Sequence, residues 1–171
     1  MKKGQLTCFV GVIGSGKDYQ AKKLKEFYYE QINFADLLRQ LAWSILDWKP
    51  EDDLEYEAFK KGHAITGLGI GINGRKLLQN IGTTMRLIDP DFFIKEWSKE
   101  VEKRLNQGFN ICCSDLRFPN ELQAARLLGA KIIFCNYHSN KYENDNRHES
   151  EKLAQQFIAL GYKDLDVITD D

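Results

Sequence analysis

The sequence has no surplus of charge of either sign and contains little proline. Its 171 residues include 24 basic and 25 acidic side chains, a formal net charge of -1, so no overall basic field exists to bind nucleic acid non-specifically. With only 3 prolines and 13 glycines, a collagen-like chain is excluded, and 43% hydrophobic residues exclude a disordered one. We therefore expect one soluble globular domain over residues 1–171.

Metal-binding cysteine pairs and long apolar runs are also missing. The four cysteines, Cys8, Cys112, Cys113 and Cys135, lack CxxC spacing and lie in short apolar runs that are typical of strands. We expect reduced core thiols. No apolar run suits a membrane span or a cleaved signal peptide. These absences predict a cytoplasmic protein with neither a membrane nor a nucleic acid as partner.

Short apolar runs alternate with helical patterns along the chain. Strands are predicted at 5–12, 31–34, 109–114, 131–136 and 165–169, and helices at 17–29, 35–47, 54–61, 75–88, 91–107, 120–128 and 150–160. The alternation predicts an α/β fold of three layers, with a mainly parallel sheet of about five strands and helices on both faces. We interpret the irregular residues 48–74 as a mobile insertion.

A glycine-rich segment joins the first predicted strand to the first predicted helix. Residues 11–17 match G-x-x-x-x-G-K, which places Gly11, Gly14, Ser15, Gly16 and Lys17 where a loop cradles phosphates. We expect the Lys17 ammonium to face solvent at the mouth of this loop. The alternative is a glycine-rich turn with an unrelated lysine. Asp18 stands where Ser or Thr normally contacts Mg²⁺, so the metal is held through Asp18, a water, or a carboxylate elsewhere.

A second glycine pattern, G-x-G-x-x-G at 69–74, resembles a dinucleotide-binding fingerprint. No clear strand precedes it, and that fingerprint belongs to a strand-turn-helix unit. We interpret it as a flexible hinge before the next helix.

Four residues of the 75–88 helix share one stripe at helical spacing: Arg75, Gln79, Gly82 and Arg86. The opposite side is apolar and is expected to enter the core, with Leu77, Leu78, Ile81, Met85 and Ile88. The stripe is either a solvated face or a ligand-facing one. The pattern by itself leaves both interpretations open.

Asp115 and Arg117 follow the predicted strand at 109–114, at the sheet edge where α/β proteins bind ligands. A carboxylate there can hold Mg²⁺ or its water, and an arginine can neutralise a phosphoryl group in transfer. The alternative is a surface ion pair beside a helix that starts at Asn120. We favour the site because a phosphate loop requires such a carboxylate.

Taken in order, several segments resemble the bacteriophage-type deoxynucleoside monophosphate kinases, which are P-loop enzymes related in architecture to adenylate and thymidylate kinases. The segments are Gly-Ser-Gly-Lys-Asp at 14–18, Phe-Ala-Asp at 34–36, Arg-Lys-Leu-Leu-Gln-Asn-Ile-Gly-Thr at 75–83, Asp-Pro-Asp-Phe-Phe at 89–93, Ser-Asp-Leu-Arg-Phe-Pro-Asn-Glu at 114–121, His-Glu-Ser-Glu at 148–151 and Val-Ile-Thr-Asp at 167–170. Asp18 is normal for that family, whereas Tyr19 stands where many members carry Thr.

The resemblance implies an ATP- and Mg²⁺-dependent kinase with small-molecule nucleotide substrates. It implies a P-loop kinase fold in which the insertion at 48–74 binds the acceptor and residues 137–150 form a lid. Lys17, Asp115, Arg117 and Arg147 would be catalytic, and Asp18 and Asp115 would hold the metal. The implied acceptor-binding residues are Asp36, Arg39, Arg75, Gln79, Gly82, Arg86, His148 and Glu151.

Two other functions remain open on the sequence. One is a P-loop kinase for another phosphorylated small molecule such as phosphomevalonate, and the other is a nucleotide-binding switch without an acceptor. A homodimer is one option for the oligomeric state.

Overall fold

The computed structural model describes residues 2–12, 14–63, 73–135, 156 and 166–168. Its strands are β1 (Leu6–Val10), β2 (Tyr29–Gln31), β3 (Asn110–Cys113), β4 (Lys131–Cys135) and β5 (Asp166–Ile168). Its helices are α1 (Lys17–Lys25), α2 (Ala35–Leu46), α3 (Asp53–Lys61), α4 (Gly74–Ile88), α5 (Phe92–Asn106) and α6 (Pro119–Leu127). The predicted helix at 150–160 lies outside the described residues except for Gln156, which is helical.

The strands form one sheet in the order β2-β3-β1-β4-β5, and every pair is parallel. β1 is therefore flanked by β3 and β4, with Cys8 level with Cys113 on one side and Ile132 on the other. Because all strands run the same way, the segments that follow β1, β2 and β3 meet at one edge. This is the edge at which open α/β sheets bind ligands.

Alternate residues of β1 point to opposite faces of the sheet, and each face packs on helices. Leu6, Cys8 and Val10 pack with Trp97, Val101 and Leu105 of α5 and with Leu122 and Ala125 of α6. Phe9 packs on the other face with Ala21 of α1. The predicted α/β fold, with a parallel sheet between helical layers, is confirmed.

The chain divides into two compact units, one of Met1–Phe34 with Ile94–Asp171 and one of Ala35–Phe93. In the second unit, α2, α3 and α4 pack around buried Ala42, Phe59 and Leu78. Polar caps start two of its helices: Asp52 accepts from Glu55 N at 2.8 Å, and Asn73 accepts from Lys76 N at 2.9 Å. α4 begins at a glycine because a Cβ there would overlap the Phe59 ring.

The end of the first helix differs from the prediction of 17–29. Three successive turn bonds, from Glu26 N, Phe27 N and Tyr28 N to carbonyls three residues earlier, end α1 at Lys25. Tyr28 has a φ of 63° and is 91% exposed. The chain therefore turns before Tyr29, which begins β2, and the second strand lies at 29–31 instead of 31–34.

All four cysteines are free and buried, as expected. None of the helices in the described ranges has both the length and the hydropathy that a membrane-spanning helix requires.

Candidate functional site

The loop between β1 and α1 depends on glycines. Gly11, Gly14 and Gly16 have φ values of 156°, 78° and 81°. A Cβ on Gly11 would overlap the backbone oxygen of Cys135 and lie 2.5 Å from the Ser15 Oγ. The loop can therefore fold this closely against β4 only with glycine at position 11.

Lys17, the first residue of α1, directs its ammonium back into the loop. Its Nζ donates to the carbonyl oxygens of Gly11 at 2.7 Å and Val12 at 2.6 Å, and lies 3.4 Å from the Ser15 Oγ. The residue is only 8% exposed. The expectation that this ammonium faces solvent is wrong, because the loop curls its own carbonyls around the charge.

The side chain after Lys17 is tied to the end of β3. The Ser114 hydroxyl donates to Asp18 Oδ1 at 2.7 Å, and the Gln31 amide donates to the same hydroxyl at 2.9 Å. The Ser114 N–H donates to Asn33 Oδ1 at 2.9 Å. A hydrogen-bonded chain thus links the ends of β2 and β3 to the first turn of α1.

Asp115 lies beside this chain of bonds. Its Oδ1 accepts from the backbone N–H of Phe34 at 2.9 Å and lies 3.3 Å from Cys113 Sγ. Arg117, two residues on, has an exposed side chain. Its backbone N–H donates to the buried Glu121 carboxylate at 2.8 Å, which fixes the turn that leads into α6.

Sequence reasoning had not selected Ser114, Gln31 or Asn33. Ser114 ends the predicted strand at 109–114, but Gln31 and Asn33 fell within the predicted strand at 31–34, whereas the structure ends β2 at Gln31. Which of them meet Asp18 depends on the order of the strands, and a motif does not contain that order.

The second unit holds the remaining described candidates. Arg75 and Gln79 are exposed on α4, whereas the Arg86 guanidinium lies 4.9 Å from the centre of the Phe93 ring. Asp36 and Arg39 of α2 form an ion pair with each other at 2.5 Å.

Two assignments on α4 need correction. Gly82, placed on the polar stripe, is buried, and a Cβ there would lie 3.0 Å from the Arg86 guanidinium and 3.6 Å from the Leu38 side chain of α2. Ile88, placed on the core side, is 73% exposed because it ends the helix. The stripe therefore borders the packed face instead of opposing it.

Three predicted site residues, Arg147, His148 and Glu151, lie outside the described residues, as do most of the 69–74 glycine pattern and the lid at 137–150.

The cysteines near the loop are poor nucleophiles. Burial raises the pKa of Cys112 and of Cys135 from 9.0 to about 11, and for Cys135 the nearby Lys17 charge opposes this shift. Burial also raises the pKa of Cys113 well above its ordinary value. Since the thiolate is the reactive form, these thiols serve packing.

The donors at this edge of the sheet suit Mg²⁺. Asp18 and Asp115 offer carboxylates and Ser114 a hydroxyl, which are the hard oxygen ligands that Mg²⁺ prefers. Within the described ranges, no group of three or more His, Cys, Asp or Glu side chains could hold a metal ion. Because Mg²⁺ is usually bound by one or two carboxylates together with substrate phosphates, these two carboxylates fit a metal that is shared with phosphate oxygens.

Comparison with solved structures finds the fold again. TT1252 from Thermus thermophilus matches with a TM-score of 0.50 at 14% identity, over 99% of this chain and 90% of that one. Dephospho-CoA kinase from Campylobacter jejuni matches more weakly, with a TM-score of 0.47 at 13% identity, over 96% of this chain and 87% of that one. A gluconokinase from Sinorhizobium meliloti 1021 matches with a TM-score of 0.38 at 14% identity, over 98% of this chain and 83% of that one. No family model and no curated protein matches. At such identities the likeness concerns the fold alone.

Proposed function

We propose that this protein transfers the γ-phosphoryl group of ATP to a deoxynucleoside 5′-monophosphate. The observation that carries the proposal is the loop at 11–17, where glycines of positive φ lead from β1 into α1 and the Lys17 ammonium lies within the loop. Loops of this kind bind nucleotide phosphates through backbone N–H groups and the lysine. The choice of acceptor is supported by the resemblance of residues 75–83, 89–93 and 114–121 to deoxynucleoside monophosphate kinases.

Phosphoryl transfer asks the protein mainly for positioning and for stabilisation of charge. We assign the β- and γ-phosphates to Lys17, whose ammonium would exchange two neutral carbonyls for anionic oxygens that accept stronger hydrogen bonds. Arg117 and Arg147 would stabilise the transferred group. Bound Mg²⁺, held by Asp18 and Asp115 together with phosphate oxygens, would neutralise charge on the nucleotide.

We assign the acceptor to the second unit. Arg75 and Gln79 are exposed on α4 and are available to a ligand, and Arg86, Asp36 and Arg39 are further candidates. Arg75 and Arg86 are 11 residues apart, about 16 Å along a helix that rises 1.5 Å per residue. They would therefore serve different phosphate groups. The sequence resemblance adds His148 and Glu151, which lie outside the described ranges, as further acceptor candidates.

The test is incubation with ATP, Mg²⁺ and a panel of ribo- and deoxynucleoside monophosphates, with chromatography of the products. We expect diphosphate from at least one deoxynucleotide. Lys17→Ala should lower turnover by a hundredfold or more, on the order of 3 kcal/mol, and the exposed Arg126→Ala serves as a control for loss of a positive charge.

Other results contradict defined parts of the proposal. Unchanged turnover by a folded Lys17→Ala variant would contradict the phosphate-loop role. Phosphorylation of phosphomevalonate alone would contradict the acceptor, and nucleotide-dependent binding of a partner without any product would indicate a switch.

A further inference from the structure

Ser114 directly follows β3 and is 2% exposed, and its hydroxyl has partners on two sides. The Asp18 carboxylate lies at 2.7 Å and the Gln31 amide nitrogen at 2.9 Å. A carboxylate has no hydrogen to donate, so the hydroxyl gives its single hydrogen to Asp18 and accepts one from Gln31. The direction of the hydroxyl is therefore fixed by its two partners.

The main chain of Ser114 is held as well. Its N–H donates to Asn33 Oδ1 at 2.9 Å, and β3 lies between β1 and β2 in the sheet. Gln31 ends β2 and Asn33 follows two residues later. The hydroxyl is thus anchored by the sheet itself rather than by a mobile side chain.

Asp18, the acceptor of that hydrogen, lies in the first turn of α1 directly after Lys17 and is exposed. One of its carboxylate oxygens is bonded to Ser114. In the described ranges, no donor is hydrogen-bonded to the other oxygen. A carboxylate fixed through one oxygen can present the second to a cation in a set direction.

P-loop proteins hold Mg²⁺ with a Ser or Thr hydroxyl directly after the loop lysine and a carboxylate from a neighbouring strand. In this chain the carboxylate follows the lysine and the hydroxyl stands at the strand end. We propose that the two groups have exchanged places: Asp18 binds the Mg²⁺ of the nucleotide, and Ser114 is a positioning residue that holds the Asp18 carboxylate.

The exchange keeps the physical requirements of the site. The Asp18 carboxylate supplies a negative charge and Ser114 an O–H···O hydrogen bond to it, and the Asp115 carboxylate assigned to the same metal is kept beside them. Asp115, the next residue, has an Oδ1 that already accepts from the Phe34 N–H. The inference depends on the proposed function only for nucleotide binding at the loop.

Calorimetric titration of the full chain with ADP, in Mg²⁺ and in EDTA, tests the pair without turnover. The measured quantity is the ratio of the two dissociation constants, which is the tightening due to metal. We expect Asp18→Asn to abolish most of this tightening and Ser114→Ala to reduce it by roughly ten- to a hundredfold, the usual loss on removal of a residue that orients a metal ligand. Affinity in EDTA should change little.

The decisive variant combines Asp18→Ser with Ser114→Asp and so restores the usual order of the two groups. It should recover most of the tightening that Asp18→Ser alone loses. Matched controls are the exposed Asp53→Asn and Ser44→Ala, which should leave the ratio unchanged.

Three results would overturn the inference: full tightening in Asp18→Asn, an altered melting temperature but an unaltered ratio in Ser114→Ala, or no recovery in a folded double variant. Failure of the acceptor assignment can be told apart from failure of this inference. If the unmodified protein binds ADP more tightly with Mg²⁺ but phosphorylates no nucleoside monophosphate, the acceptor assignment is wrong and the proposed roles of Asp18 and Ser114 still stand. If the unmodified protein bound no ADP, the loop assignment and this inference would both fall.

Discussion

Replacement of Gly11 by alanine tests the geometry of the phosphate loop directly. The added Cβ would overlap the backbone oxygen of Cys135 and lie 2.5 Å from the Ser15 Oγ. Cys135 ends β4, which pairs with both β1 and β5, so its carbonyl cannot move without disturbing the sheet. Ser15 is fully buried and has little room to yield.

The chain offers a matched control in Gly129, which also has a positive φ, of 79°. A Cβ on Gly129 meets no atom within 4 Å, so Gly129→Ala costs only the strain of a side chain on a backbone with positive φ. That strain is about 1 to 2 kcal/mol. Gly11→Ala adds the overlap, for which forced overpacking typically costs about 1 to 3 kcal/mol. We therefore expect roughly 2 to 5 kcal/mol of destabilisation at Gly11 and about 1 to 2 kcal/mol at Gly129.

Urea unfolding followed by circular dichroism gives the free energy of unfolding of each variant, and ADP titration gives the state of the loop. Gly11→Ala should lose ADP affinity even under conditions in which it remains folded, because the loop must open to relieve the overlap. Gly129→Ala should bind ADP normally. Equal stability and equal ADP affinity in the two variants would refute the close approach of the loop to β4.

Three further predictions concern individual side chains. Asp115→Asn keeps an oxygen that can accept from the Phe34 N–H, so it should lower turnover with little loss of stability. Asp115→Ala should in addition lower the free energy of unfolding in urea by about 1 to 3 kcal/mol. Equal stability of the two variants would contradict the hydrogen bond between Asp115 and Phe34. Burial raises the pKa of Cys112 and Cys135 from 9.0 to about 11, so between these pH values the folded chain keeps protons that the unfolded chain releases. The free energy of unfolding should therefore fall between pH 9 and 11. The thiols of the native protein should also resist iodoacetamide, and rapid labelling of the native protein would contradict this prediction. Arg75→Lys should lower kcat/KM for the acceptor about thirtyfold through a higher KM, because lysine cannot make the bidentate contact of a guanidinium with a phosphate. Arg86→Lys should instead lower kcat. If neither variant changed the kinetics, the stripe would be a solvated face.

Local patterns predicted much of the fold because their causes are local. The glycine spacing at 11–17 and the apolar run before it identify the strand, loop and helix, since both signals lie within one segment. Asn73 caps α4, which begins at Gly74, one residue before the predicted start at 75. The predicted helix at 17–29 included Phe27 and Tyr28, yet both are exposed in a turn after α1 ends.

The remaining features depend on contacts between segments that are distant along the chain. Gly82 is covered by the Arg86 side chain of its own helix and by Leu38 of α2, and a helical wheel for α4 alone does not include Leu38. Lys17 is buried because the loop carbonyls of Gly11 and Val12 turn inward, and a motif specifies residue types without the direction of their carbonyls. Ser114 reaches Asp18 only because β3 pairs with β1.

The hydrogen bond between Asp18 and Ser114 joins residues that are 96 positions apart in the sequence. It gives a reason to define the loop motif by two positions together, namely the residue after the lysine and the residue at the strand end. A scan that requires Ser or Thr after the lysine scores Asp18 as a misfit, although the pair still supplies one carboxylate and one hydroxyl in contact. If the requirement acts on the pair, related chains should carry a hydroxyl at the strand end wherever they carry Asp after the lysine. Chains with Ser or Thr after the lysine should carry a carboxylate there instead. An alignment of relatives in which the two positions vary independently would refute this pairing.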